Sequence, residues 1–116
     1  MNNILTPNLP TAANFLDTLE PEGKFTFQTF DDDQSRNNKN LVRVLHGTLN
    51  KHAGTLITLN QRGAGIFVTI NKTNLMGRKT TDIVKVRAVF LDLDGSPLEP
   101  VLSHYLVPHI IVESSP

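Results

Sequence analysis

Helix-type and strand-type apolar patterns alternate along the chain, and this alternation is what most constrains its fold. Residues 48–62 place their apolar side chains on one helix face, and Gly63 follows as a natural left-handed stop. Residues 65–71 and 83–93 are instead rich in β-branched and aromatic residues, which is typical of strands. Elements of both kinds in mixed order predict an α/β or α+β fold, with a mixed β-sheet covered by helices.

Weaker patterns predict the remaining elements. A wholly polar stretch is typical of a surface loop, and a proline or glycine cluster after an apolar helical pattern indicates its end. The predicted elements are a helix at 11–19 capped by Thr11, a strand at 24–30, a surface loop at 31–40, a strand or helix start at 41–45, and a strand at 109–113.

Length and composition are those of an ordinary globular protein. The chain has 116 residues, of which 39% are hydrophobic, so we expect residues 1–116 to form a single domain. It contains no cysteine, which excludes disulfides, thiol nucleophiles and zinc held by thiolates. No segment has the pattern of a membrane span or a secretory signal, so we expect a cytoplasmic protein without a membrane partner.

The formal net charge of zero conceals a segregation of charge along the chain. Residues 34–87 hold all but one of the Lys and Arg residues, with Asp82 as their single acid, whereas both ends are acidic. Such a segment binds phosphates if folding gathers its charges on one surface, and otherwise forms a solvated face. The candidates for phosphate contacts are Arg62, Arg78, Lys79 and, less favoured, Arg87. Strand alternation places Arg87 on the face opposite Asp92.

Two acidic motifs are candidate cation sites. Asp92 and Asp94 end the predicted strand at 83–93 and point to the same side, about 6.6 Å apart along the chain. A carboxylate pair of this kind can hold magnesium or manganese. The alternative is that Asp94 opens a turn with Gly95, beside a solvated Asp92. For residues 31–33, all aspartates, we favour a solvated run over a cation site.

Four segments carry a further signal: residues 59–71, Gly77-Arg78-Lys79, residues 86–95 with Asp92-Leu93-Asp94-Gly95, and residues 109–116 with Glu113-Ser114-Ser115-Pro116. In this order they resemble the RepB-like primase domain of phage and plasmid replication proteins, which belongs to the archaeo-eukaryotic primase superfamily. The resemblance extends from about Phe25 to the last residue. An apolar strand that ends in Asp-x-Asp is the first motif of that superfamily.

The resemblance implies nucleotidyl transfer on a DNA template with nucleotide triphosphates. Asp92 and Asp94 would hold two divalent ions, Mg²⁺ or Mn²⁺, that activate the attacking hydroxyl and stabilise the leaving pyrophosphate. Ser114 and Ser115 would approach the motif whose histidine contacts the nucleotide. That histidine and the third acid of the family are not in this sequence. We therefore expect a partial primase-polymerase catalytic core, inactive alone, which a continuation of the chain or another replication protein would complete.

Two alternatives remain open. The segment around Asp92-Leu93-Asp94-Gly95 also resembles the haloacid-dehalogenase-like phosphatase signature, in which Asp92 would be the nucleophile and Asp94 the general acid. That fold needs a later lysine and further acids, whereas no Lys and no Asp follow Asp94. The second alternative is a non-catalytic replication module that binds DNA or a partner.

Overall fold

The computed structural model describes residues 8–89 and Ile110, and it has an α+β fold, as predicted. Two helices and a three-stranded sheet form its main part, and a two-stranded sheet follows. Segments with strand-type periodicity thus form strands, and segments with helix-type periodicity form helices. In chain order the elements are α1 (Leu9–Leu19), β1 (Phe25–Asp31), a 3₁₀ turn (Lys39–Leu41), β2 (Arg43–Gly47), α2 (Leu49–Gln61), β3 (Ala64–Val68), β4 (Lys72–Thr73), a second 3₁₀ turn (Thr80–Asp82) and β5 (Ile83–Lys85).

The main sheet has the strand order β2-β1-β3, and both outer strands run antiparallel to β1. Phe27 of β1 lies opposite Leu45 of β2 and Val68 of β3. Because β2 and β3 both oppose β1, they are parallel to each other, and α2 connects them across one face of the sheet. The arrangement is a split βαβ unit with β1 in its middle.

The core lies between the helices and one face of this sheet. Phe25 and Phe27 point to the same face because strand side chains alternate, and they pack with Leu16 of α1 and Leu56 of α2. All four are at least 95% buried. Burying a side chain of this size contributes about 1.5–3 kcal/mol, so these contacts hold α1 and α2 on the sheet.

The opposite face of β1 is polar where β4 covers it. Thr26 is buried, and its Oγ1 lies 2.7 Å from Thr73 Oγ1 and 2.9 Å from His46 Nδ1. Gln28 is also buried and donates from Nε2 to the Arg43 carbonyl over 3.1 Å. The predicted strand at 24–30 is confirmed within one residue. Its polar positions form a hydrogen-bonded second face.

The ends of α1 and α2 are set by their capping residues. The prediction that Thr11 caps α1 is wrong: Asn8 is the cap, and its Oδ1 accepts from the Thr11 amide over 3.1 Å. The helix begins earlier because Pro10 is tolerated in a first turn, where its missing N–H has no partner to lose. For α2 the predicted range of 48–62 is confirmed within one residue at each end, and Gly63 at φ +102° lies at the predicted stop. Thr48 is its cap.

The predicted long strand at 83–93 is much shorter within the described residues. Only β5 is regular, and 86–89 have no regular structure. The Arg87 amide donates to Asn71 Oδ1 over 3.1 Å, so it is not available to continue a strand ladder. Residues 41–45 are predicted as a strand or the start of a helix. In the structure they contain the end of the first 3₁₀ turn and the beginning of β2. Of the predicted strand at 109–113, all but Ile110 lies outside the described residues.

Candidate nucleic-acid interface

Two phenylalanines lie side by side on the sheet face that points away from the helices. Phe30 of β1 is opposite Gly65 of β3, and Phe67 follows two residues later on the same face. Their ring centroids are 5.9 Å apart and the rings are inclined by 65°. Phe30 is 41% exposed and Phe67 57% exposed, so the pair presents aromatic surface to solvent.

A basic loop flanks this aromatic pair. The Arg78 guanidinium lies 5.8 Å above the centre of the Phe30 ring, and Lys79 follows it. Asp82 orders the loop, because its Oδ2 accepts from the Lys79 amide over 3.0 Å and its carbonyl accepts from the Asn74 amide over 2.8 Å. One exposed cation, Arg78, therefore lies beside an exposed ring, and a second exposed cation follows it in the loop, which is an arrangement that suits bases and phosphates together.

Arg62 lies on the helix layer, at the end of α2. It is exposed and precedes Gly63, whose carbonyl accepts the Asp32 amide over 2.9 Å. Arg78 and Lys79 lie instead in the loop between β4 and the second 3₁₀ turn, on a different element of the fold. The structure thus places Arg78 and Lys79 together, whereas a shared role with Arg62 stays a prediction.

A cleft of about 410 Å³ opens beside the aromatic pair at Gly65; we call it the Gly65 cleft. A Cβ at Gly65 would lie 3.3 Å from Asp32 Oδ1 and 3.4 Å from Phe67 Cε2, so the glycine keeps this space open. Besides Gly65, the cleft is lined by Phe30, Phe67, Asp31, Asp32, Gln34 and Asn37. Aromatic walls and amide or carboxylate groups thus meet in one place.

The loop after β1 is built around Asp31, and the prediction of a solvated aspartate run is wrong at this residue. The Asp31 side chain is 1% exposed. Arg36 donates to it from Nε over 2.8 Å and from Nη2 over 2.6 Å, and the amides of Asp33 and Asn38 also donate to it. The hydrogen bonds from Arg36 hold the pKa of the Asp31 carboxyl well below its usual value, against the effect of burial.

A cation site in this loop is also not found. In residues 8–89 and Ile110, no group of three or more His, Asp or Glu side chains is placed to hold a metal ion. The charge of Asp31 is already neutralised by Arg36, with which it forms an ion pair. Asp31 and Asp33 instead accept hydrogen bonds from residues of the same loop.

Arg87 has a structural position, and the hypothesis that it contacts phosphates is wrong. Its side chain is 2% exposed, and its Nε donates to Glu20 Oε1 over 2.7 Å. The guanidinium also donates to the Lys24 carbonyl and lies 4.2 Å over the Phe25 ring. Its hydrogen bond lowers the pKa of Glu20.

The basic middle of the sequence is therefore not one phosphate-facing surface. Arg36 pairs with Asp31, and Arg87 and Lys72 both pair with Glu20. Lys72 Nζ lies 3.8 Å from Glu20 Oε2. Acids outside the basic segment thus compensate part of its charge, whereas Arg78 lies over an exposed aromatic ring.

The predicted catalytic and metal-binding residues Asp92 and Asp94 lie outside the described residues, as do Ser114 and Ser115. The magnesium or manganese site therefore stays a prediction. No helix of the described chain is long and apolar enough to cross a membrane. In comparisons with protein-family models, with curated proteins and with solved structures, no match was found.

Sequence reasoning missed the aromatic pair, although a signal for it exists. Phe30 is out of phase with Phe25 and Phe27, and Phe67 is out of phase with Ile66 and Val68. Because strand side chains alternate, an aromatic residue out of phase with the core points to the other face. What the pattern does not give is the register that brings the two rings together.

Proposed function

We propose that this chain binds single-stranded nucleic acid, as the template-binding part of a primase-polymerase-type replication protein. The observation that carries the proposal is the exposed pair of Phe30 and Phe67 with Arg78 above one ring. The nucleotidyl-transfer part depends on the sequence resemblance and on Asp92 and Asp94, and it is tested separately below.

Stacking on the two rings is the source of affinity in this proposal. A base that stacks on an aromatic side chain contributes about 1–3 kcal/mol, and every base offers a π-face for it. Phe30 and Phe67 sit on adjacent hydrogen-bonded strands, and their rings already lie side by side without a ligand. Paired bases of a duplex are already stacked on each other, which favours single strands as the ligand.

Phosphate contacts come from Arg78 and Lys79. Both side chains are exposed, and their loop is ordered by Asp82. An arginine beside a bound base can also stack on it or contact the adjacent phosphate. We therefore expect binding that is weak, tolerant of sequence and steeply reduced by salt.

The direct test is fluorescence anisotropy with a labelled twelve-nucleotide oligo-dT at low salt. We expect Phe67→Leu and Phe30→Leu each to weaken binding about tenfold, because leucine keeps an apolar side chain but removes the stacking face. Val84→Ala is the matched control, since Val84 is 60% exposed on β5 and offers no ring. Unchanged affinity in both leucine variants, or no binding by the parent protein, contradicts the proposal.

A further inference from the structure

The Gly65 cleft contains a carboxylate without a partner in the described part of the chain. Asp32 makes no side-chain hydrogen bond or ion pair there, whereas its neighbours Asp31 and Asp33 are hydrogen-bonded to Arg36 and Ser35. Its Oδ1 is the nearest atom to a Cβ placed on Gly65. Asp32 is exposed, so its carboxylate is an acceptor open to a ligand beside Gly65 and Phe67.

We infer that the Gly65 cleft selects nucleobases that present hydrogen-bond donors, with guanine preferred; this inference rests on the proposed function. A carboxylate only accepts hydrogen bonds and has two oxygens. Guanine offers two adjacent donors on its Watson–Crick edge, N1–H and the N2 amino group, which match both oxygens of Asp32. Adenine and cytosine offer one amino group each. Thymine offers one N–H, but this group lies between two carbonyl oxygens, and the carboxylate repels both oxygens.

The rest of the cleft fits the same base. Gln34 and Asn37 carry side-chain amides that can donate to guanine O6. Asn37 has φ +45°, a left-handed conformation that asparagine tolerates better than most residues, and its backbone N–H donates to the Asp33 carbonyl over 2.9 Å. The cleft volume of about 410 Å³ is in the range of small-ligand pockets.

The basic group and the acidic group lie near different rings of the aromatic pair. Arg78 lies over Phe30, whereas Asp32 lies next to the Phe67 ring at Gly65. A nucleotide can thereby direct its phosphate to the basic loop and its base edge to the carboxylate. This separation matters because a phosphate beside Asp32 would be repelled.

The test compares oligonucleotides of equal length by anisotropy at one salt concentration: oligo-dT, alternating dT and dG, and alternating dT and deoxyinosine. We expect the dG oligonucleotide to bind at least about tenfold more tightly than oligo-dT. Inosine lacks the N2 amino group and should bind with intermediate affinity. In Asp32→Asn the dG preference should shrink to about twofold or less, because an amide has only one acceptor oxygen.

Asp17→Asn is the matched control, since it removes the same charge from an exposed position on α1. If Asp32→Asn and Asp17→Asn strengthen all oligonucleotides equally, Asp32 acts only through its charge and the inference is overturned. If oligo-dT and the dG oligonucleotide bind the parent protein equally, the proposed function stands but the base preference is wrong. Binding of none of them at low salt overturns both.

Discussion

The guanidinium of Arg36 donates two hydrogen bonds to the buried carboxylate of Asp31, over 2.8 and 2.6 Å, and so anchors the loop that leads from β1 toward the Gly65 cleft. Two amides of the same loop donate to that carboxylate as well. This bidentate pair has a pH signature, because the pKa of Asp31 is lowered in the folded state.

Replacing Asp31 with Asn should destabilise the fold at neutral pH. It should also reduce the loss of folding stability that occurs as the pH falls. A carboxyl whose folded-state pKa is depressed contributes stability that is complete above its unfolded-state pKa, near 3.8, and is lost as pH falls below that value. Urea unfolding should therefore show a large difference between parent and variant at pH 7 and 5, shrinking below about pH 4. Asp32→Asn removes the same charge from the exposed neighbouring residue and is the control; it should cost much less stability at pH 7 than Asp31→Asn. A difference that stays constant across this range would show that Asp31 does not act through its charge.

Replacing Arg87 with Lys should lower the melting temperature without weakening oligo-dT binding. A lysine cannot donate to Glu20 and to the Lys24 carbonyl while lying flat on Phe25, as the guanidinium does. Thermal melting and anisotropy on the same samples measure both effects. Arg43→Lys, at an exposed position, is the control and should change neither. A loss of oligo-dT affinity in a folded Arg87→Lys variant would indicate that Arg87 contacts phosphate after all.

Two glycines should respond to alanine in opposite directions. Gly54 lies inside α2, and a Cβ there meets nothing within 4 Å, so Gly54→Ala should stabilise the protein by about 0.5–1 kcal/mol. Gly63 has φ +102°, and a Cβ there would lie 2.6 Å from Arg36 Nη2, so Gly63→Ala should destabilise it by more than about 1 kcal/mol. Urea unfolding of the two variants checks the signs. Equal effects would mean that the position of the α2 stop is wrong.

The double variant Arg78→Ala, Lys79→Ala should flatten the salt dependence of single-strand binding. Each phosphate contact to a single strand adds about 0.7 to the slope of log affinity against log salt, so losing two contacts should reduce the slope by about 1.4. The control variant Lys39→Ala, Lys51→Ala removes the same charge from the first 3₁₀ turn and α2 and should leave the slope almost unchanged. Equal slopes in the two double variants would assign the effect to net charge alone.

Manganese should bind at Asp92 and Asp94 with an affinity on the order of millimolar, since two carboxylates form an incomplete ligand set. Amide NMR during titration should show paramagnetic broadening first at residues 92–95. Asp92→Asn should abolish it, and Asp17→Asn should not. Broadening that starts at residues 31–33 would show that the metal prediction names the wrong carboxylates.

Much of the local structure could be predicted because its causes are local. Thr48 caps α2 by accepting a hydrogen bond from the Lys51 amide, and Gly63 stops the same helix. Each end of the helix therefore depends only on residues within about one turn of that end. The strand that became β1 is predicted by its β-formers. The start of α1 was misassigned because Pro10 fits a first turn as well as a helix boundary.

The sequence alone determined the α+β class, the extent of α2, the strand that became β1 and the segregation of charge. Each of these follows from periodicity and composition over short stretches. Only the tertiary structure decided which charges are free. It pairs Arg87 with Glu20, 67 residues away, and Arg36 with Asp31, and leaves Arg78 over Phe30. It also brings Phe30 beside Phe67, because strand register sets which side chains meet across a sheet, and register arises from the packing of the whole core.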